Sequence, residues 1–202
     1  MAELTIYKTI PEQVTARLRQ EILSGKLQPG EPLREQEISR RFGVSRGPIR
    51  EALRQLTQQG LLVLEPNKGV RVAQYLSESV RPLTVELRRK IETFVLDTIF
   101  DAITDEDVEA WEQILADIKV ACEAGDTAAL VDHDVRLHQA IIQSHDDKDL
   151  FALWQPIALR MLMQYTRFDD LMDSYREHKA LLDAIRRGDK VAALAALEAN
   201  IQ

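Results

Sequence analysis

Apolar residues recur every four positions near the start of the chain, at Val14, Leu18 and Ile22. That spacing lines one face of a helix, which Pro11 opens and Gly25 closes. Residues 27–33 carry two prolines and a glycine and predict an extended crossing. Ile38 and Phe42 then mark a short helix over 35–42, with Gly43 where a left-handed helix end is wanted. Ser45 is placed to cap the next helix, whose first turn tolerates Pro48 because N–H groups there lack intrahelical acceptors. Ile49, Leu53 and Leu56 face inward along it, and Gly60 ends it. The pattern then shortens to that of strands, at 61–65 and 70–73, around the turn Pro66-Asn67-Lys68-Gly69. Beyond a hinge at 76–82, punctuated by Ser77, Glu78, Ser79 and Pro82, every period is helical. About six helices are expected, at roughly 80–101, 104–124, 127–145, 147–168, 170–187 and 189–202. Thr104-Asp105-Glu106-Asp107 starts the second of these, and Gly125-Asp126 and Gly188-Asp189 separate later ones.

The expected fold is therefore mainly α: a winged helix-turn-helix over residues 1–75 and an all-α bundle over 83–202. Two short helices around a glycine turn, followed by a two-strand ribbon, place the second helix in the DNA major groove and the ribbon at a neighbouring groove or backbone. Arg46 and Arg50 lie four apart near the start of that second helix and share a face. Arg34 begins the helix before it, and Lys68 and Gly69 form the ribbon tip. Arginine offers two parallel donors to guanine O6 and N7, or a clamp to phosphate. The competing account is an ordinary helical domain whose arginines are solvated.

Composition sharpens the division. The net charge of −7 looks wrong for a DNA binder. Residues 1–75, however, hold 12 Lys/Arg against 8 Asp/Glu, and residues 76–202 hold 14 against 25. Phosphate attraction is local, over a screening length of about 8 Å, so a basic head can precede an acidic domain with another task. No apolar run approaches the ~20 residues of a membrane span. The first residues lack a signal-peptide pattern, and the single Cys122 excludes a disulfide framework or cysteine-rich zinc site. A reducing, cytoplasmic setting is expected.

Leu33-Arg34-Glu35, the run from Phe42 to Leu53, Gly60-Leu61 and Gly69 resemble the GntR family of bacterial transcription regulators over roughly residues 8–75. The Gly-x-Leu-x-Pro-Gly-x-x-Leu pattern from Gly25 to Leu33 is also typical of it. The resemblance implies operator contacts from Arg34, Ser45, Arg46, Arg50 and Gly69. The family often has Thr where this chain has Gly47, which removes one possible hydroxyl contact. Further on, Glu86-Leu87-Arg88 with Glu92, Asp134 with His138, and His178 with Ala184-Ile185, Gly188-Asp189 and Ala192 resemble the ligand-binding FCD domain of the FadR branch. Six helices rather than seven match its shorter VanR-type variant.

That likeness implies a metal and effector site. Relatives that hold a divalent ion use an Asp and three His; here Asp134, His138 and His178 fall at matching positions, and Asn200 stands where the last His belongs. Asp134 and His138, at i and i+4, can converge on one ion. An amide oxygen is a poorer ligand than imidazole for zinc, nickel or manganese. Either these groups hold a metal with open positions for an effector carboxylate, or they bind the effector directly. Taken singly, Asp134 reads as a salt-bridge partner and His138 as a core histidine. Arg88 is a candidate for the effector's carboxylate or an ion-pair partner of Glu92. Trp111, Trp154, Met161 and Met163 read as core. Ser144-His145 lacks an orienting acid, and the glycines of the head are turns and caps, so no catalytic motif is evident. The expectation is a homodimeric repressor that reads a palindromic operator under control of a small organic acid. A sensor acting through protein partners, or a metal-dependent hydrolase on Asp134, His138 and His178, are the alternatives.

Overall fold

The protein is described by a computed structural model covering residues 9–164 and 170–202. Residues 1–8, which precede the first apolar period and read from the sequence as a loose arm, and the last residues of the helix expected over 147–168 lie outside the described residues. The chain forms two compact units, Met1–Tyr75 and Leu76–Gln202.

In the first unit, α1 (Ile10–Leu23) begins with a capping box: the Thr9 hydroxyl accepts from the Glu12 backbone, and the Glu12 carboxylate accepts from the Thr9 N–H. This satisfies two of the donors that a helix start leaves unpaired. α2 (Glu35–Phe42) ends at Gly43, whose φ of 67° is the left-handed turn a side chain would resist. α3 (Arg46–Gln58) follows. Leu18 of α1 and Ile49 and Leu56 of α3 are fully buried, each stabilising the unit by about 1.5–3 kcal/mol. Ser45 occupies the cap position of α3, but its side chain makes no cap hydrogen bond. Its hydroxyl is left for another partner.

Strands β1 (Leu62–Glu65) and β2 (Gly69–Val72) pair antiparallel from Leu62–Val72 to Glu65–Gly69. The crossing over residues 30–33 does more than span a gap. Leu33 N donates to Val70 O and Val72 N to Glu31 O, so it lies against β2 and anchors the ribbon to the entry of α2. Charge adds a second tie. Glu21 of α1 is buried, and it accepts from Arg41 at 2.7 Å with Arg17 and Lys26 each at 3.5 Å.

The second unit holds α4 (Arg81–Ile99), α5 (Asp105–Glu123), α6 (Thr127–Gln143), α7 (Lys148–Leu162), α8 (Met172–Arg186) and α9 (Lys190–Asn200). These six, with a short 3-10 turn after α4 at Phe100–Ala102, are its elements among the described residues. Acidic caps set their starts: Thr104 with Asp107 on α5, and Asp126, Asp147 and Asp189 on α6, α7 and α9. α4 packs on α6, α7 and α9, while α5 packs on α6 and α8. Trp111, Ile118, Leu130, Leu137, Ile141, Leu181 and Leu197 fill the centre. A polar cluster lies within this bundle.

Replacing the buried Glu21 carboxylate removes the ion pair by which α1 holds Arg41 of α2. Glu21→Ala should cost about 1.5–3 kcal/mol of stability, measured by urea denaturation; an unchanged midpoint would mean the three cations are equally well solvated without it.

Candidate functional site

The first unit presents one cationic face. Arg46 and Arg50, one turn apart at the start of α3, are both exposed, with 73% of the Arg50 side chain open to solvent. Arg34, beside the first residue of α2, is exposed and pairs with Glu37 at 3.2 Å. Ser45 and Gly47 are exposed between them. A Cβ at Gly47 would meet nothing within 4 Å, so a hydroxyl-bearing side chain would fit there sterically. Lys68 sits exposed at the ribbon tip, paired with Glu65 at 3.1 Å, and Gly69 turns with φ 79°. Arg50 has a partner that its neighbours in sequence do not reveal. Its Nε and Nη2 each donate at 3.1 Å to the two oxygens of Glu35, fifteen residues earlier. That hydrogen bond outweighs the opposing effect of burial and, with the charges of Arg50 and Arg46, holds the Glu35 carboxyl below its usual range.

In the second unit, α4, α6, α7, α8 and α9 each send a polar side chain to one buried point. Arg88, Glu92, Asp134, His138, Trp154, His178 and Asn200 are all buried. Glu92 is the anchor. One of its oxygens accepts from Arg88 Nε and Trp154 Nε1, each at 2.6 Å, and the other from His138 Nδ1 at 2.5 Å. Burial alone would push the Glu92 carboxyl up. The charge of Arg88, that of His138 when its ring is protonated, and the hydrogen bonds from His138 and Trp154 outweigh it and hold Glu92 at about 2.

Those bonds fix the histidines. His138 turns its Nδ1 to Glu92, so in the neutral ring that bond takes the one N–H and leaves the lone pair on Nε2. His178 Nδ1 lies 2.7 Å from the carbonyl of Ser174, one turn earlier on α8, and donates to it. In the neutral ring its Nε2 therefore also carries the lone pair. The two Nε2 atoms face each other at 3.3 Å, and Asp134 Oδ2 lies 3.3 Å from that of His178. Asp134 Oδ1 is buried without a hydrogen-bond partner, Arg88 Nη2 standing 4.0 Å away. Burial would raise the Asp134 carboxyl; a protonated His178 donating to it, with the charges of His178, a protonated His138 and Arg88, outweighs that burial and keeps it well below the carboxylate range.

Two imidazole lone pairs and a carboxylate oxygen turned toward one another, all within 4.8 Å, repel unless a cation or proton sits among them. Neutral imidazole and carboxylate are a suitable donor set for a first-row divalent ion. Asn200 is placed differently from a ligand: its Nδ2 faces His178 Nε2 and Glu177 Oε2, each at 3.4 Å, so the amide acts as a donor. A half-turn of the amide would present its oxygen instead. Arg81, Arg88, Asp134, Met161, Gln164 and Asn200 line a pocket of about 30 Å³ over the cluster.

Sequence spacing brought Asp134 and His138 together, and the family resemblance named Arg88, His178 and Asn200. It registered Glu92 only as the partner of Arg88 and Trp154 only as core. Both readings hold, yet the contacts that matter cross 46 and 62 positions and carry no local signal. The alternatives for Arg88 also merge, since it pairs with Glu92 while lining the pocket. His133 and His145 are half-buried and take no part in the cluster.

Residues 10–72 match the gntR family of bacterial regulatory proteins, and residues 84–202 match the FCD domain. The gluconate operon transcriptional repressor of Bacillus licheniformis is 28% identical over 93% of this chain and 80% of its own length. The transcriptional repressor RspR of Escherichia coli is 28% identical over 99% of this chain and 89% of its own. The fold of E. coli McbR/YncC superposes with a TM-score of 0.80 at 20% identity, over 97% of this chain and 95% of that one.

The depressed Glu92 carboxyl makes stability pH-dependent. Its contribution is complete above the ordinary value of 4.5 and is lost as pH falls toward about 2. Glu92→Gln should therefore lower stability at neutral pH by roughly 3–5 kcal/mol. It should also flatten the decline through that acid window in denaturation curves taken at stepped pH; a parallel decline in both proteins would show that Glu92 is not the group responsible.

Proposed function

The chain belongs to the gntR family of bacterial regulatory proteins and carries an FCD domain, and on that premise we propose that it is a repressor released from or retained on its operator by a small organic acid. It is a DNA-binding transcription regulator and not an enzyme. The observation that carries the reading is the pairing of an exposed arginine face on α3 with a buried Asp134-His138-His178 cluster in the other unit.

On the DNA side, Arg46 and Arg50 enter the major groove from the start of α3. Arg34, Ser45 and Gly47 approach the backbone and base edges beside them, and Lys68 and Gly69 reach from the ribbon. The free Ser45 hydroxyl is suited to a phosphate oxygen. The operator is a near-palindrome because the protein acts as a homodimer, each head reading one half-site. Leu83, Leu87 and Phe94 support the dimer: they are exposed along one side of α4, an apolar surface that a second copy would cover. No helix among the described residues is long and apolar enough to cross a membrane. An operator as partner is what supports a cytoplasmic setting.

On the effector side, Asp134, His138 and His178 would hold a divalent ion such as zinc, nickel or manganese, with Asn200 as neighbour or weak fourth ligand. The ion, when bound, supplies a Lewis-acidic position for a carboxylate. Arg88 adds a fixed positive charge from the pocket wall. A regulator of a gluconate operon among the relatives favours a sugar acid as the class of ligand. The pocket of about 30 Å³ is far smaller than the roughly 300 Å³ of ordinary ligand sites. The acid therefore enters only as lining side chains such as Met161 and Gln164 move. Displacement of that kind gives the ligand different affinities for two states of the bundle, as any control of DNA affinity requires.

Arg46→Ala and Arg50→Ala should each weaken operator binding by about 1–3 kcal/mol in gel-shift titrations. If neither moves the midpoint, α3 is not the reading helix. Elemental analysis should find a divalent ion that His138→Ala removes, and sugar acids should raise the melting temperature only while the ion is present. A metal-free protein with the full thermal response would instead assign recognition to Arg88 and its polar neighbours.

A further inference from the structure

Arginine presents two different bidentate edges, one formed by Nε and Nη2, the other by the two terminal nitrogens. In Arg50 the first edge is taken: Nε and Nη2 each lie 3.1 Å from an oxygen of Glu35. Both residues stand on rigid backbone. Glu35 is the first residue of α2, where a carboxylate is favoured by the helix dipole, and Arg50 lies one turn into α3. The pair is well exposed, with 73% of the Arg50 side chain and 36% of the Glu35 side chain open to solvent. A single exposed ion pair ordinarily contributes little to stability, and the exception is this two-bond geometry. The clamp therefore does more to set direction than to hold the fold. It fixes a long side chain that would otherwise sample many rotamers, and it leaves the Nη1–Nη2 end pointing away from the carboxylate.

We propose that Glu35 is a specificity-determining positioning residue: by holding the Nε–Nη2 edge of Arg50, it makes that arginine read DNA end-on, through its two terminal nitrogens, at one guanine per half-site. The inference rests on the DNA-binding reading above. Three consequences follow from the chemistry. An oriented guanidinium matches O6 and N7 of guanine and rejects other bases, whereas an unrestrained one is as well satisfied by phosphate. The Glu35 carboxylate also repels the phosphate backbone, so it lowers affinity for all sequences alike. Removing it should thus raise general affinity and reduce discrimination at once, two effects of opposite sign that loss of a merely structural contact does not produce. The lowered Glu35 carboxyl keeps the clamp charged at neutral pH.

The test begins with selection from a pool of randomised duplexes by the wild-type chain, followed by the same selection with Glu35→Ala, Arg50→Ala and the double variant, each checked for folding by circular dichroism. Wild type should enrich a guanine at one position per half-site. Glu35→Ala should bind non-specific duplex more tightly, and its preference at that position should fall at least about fivefold. The double variant should lose no more discrimination there than Arg50→Ala alone. A Glu35→Asp variant, whose shorter carboxylate can still accept from Arg50, should retain part of the preference. Unchanged discrimination in Glu35→Ala, with or without a uniform gain in affinity, overturns the proposal. So does a loss spread evenly over all positions. Failure of the wild-type chain to enrich any sequence defeats the DNA-binding reading itself, and is told apart by that control.

Discussion

A carboxylate buried to near-completeness governs the helical unit. Glu92 takes hydrogen bonds from α4, α6 and α7 at once, through Arg88, His138 and Trp154. A charge in such a place is tolerable only while these donors stay in position, because each lost bond leaves uncompensated charge away from water. The same bonds fix which nitrogen of His138 bears its proton. The backbone carbonyl of Ser174 does the corresponding service for His178. The electron-rich centre formed by Asp134, His138 and His178 is thus imposed from outside by groups that are not themselves its donors.

The first unit uses charge in the opposite way. Among its described residues the buried acid is Glu21, which accepts from Arg41 and ties α1 to α2. Its proposed reading face keeps Arg34, Arg46 and Arg50 in solvent. Rigid packing of Leu18, Ile49 and Leu56 beneath that face matters because an arginine can discriminate bases only if its backbone is held still. The ribbon gains its firmness from the crossing at 30–33, which gives β2 a neighbour on its second edge.

Both units share a design in which an acid one or two turns away, or on a neighbouring helix, decides how a basic side chain is presented. Glu92 turns His138 toward Asp134 and His178; Glu35 holds one edge of Arg50 and leaves the other to solvent. In the proposed mechanism, the first governs what the protein senses and the second how faithfully it reads. The smallness of the pocket over Asp134 and Asn200 means that sensing must be accompanied by movement, since well-packed interiors do not yield without shifting their neighbours.

The sequence determined the elements, because periods of two and near four, glycine stops and Asp or Thr caps are local and act on adjacent residues. It also placed Arg46 with Arg50 and Asp134 with His138, pairs one helical turn apart. It left open whether Arg88 served Glu92 or the pocket, and it gave no hint that Glu35 holds Arg50, that Trp154 donates to Glu92, or that Asn200 turns an N–H toward His178. Those arrangements join residues 15, 62 and 22 positions apart. Only the packing of helices against one another sets such distances, and buried charges then select the partners that satisfy them.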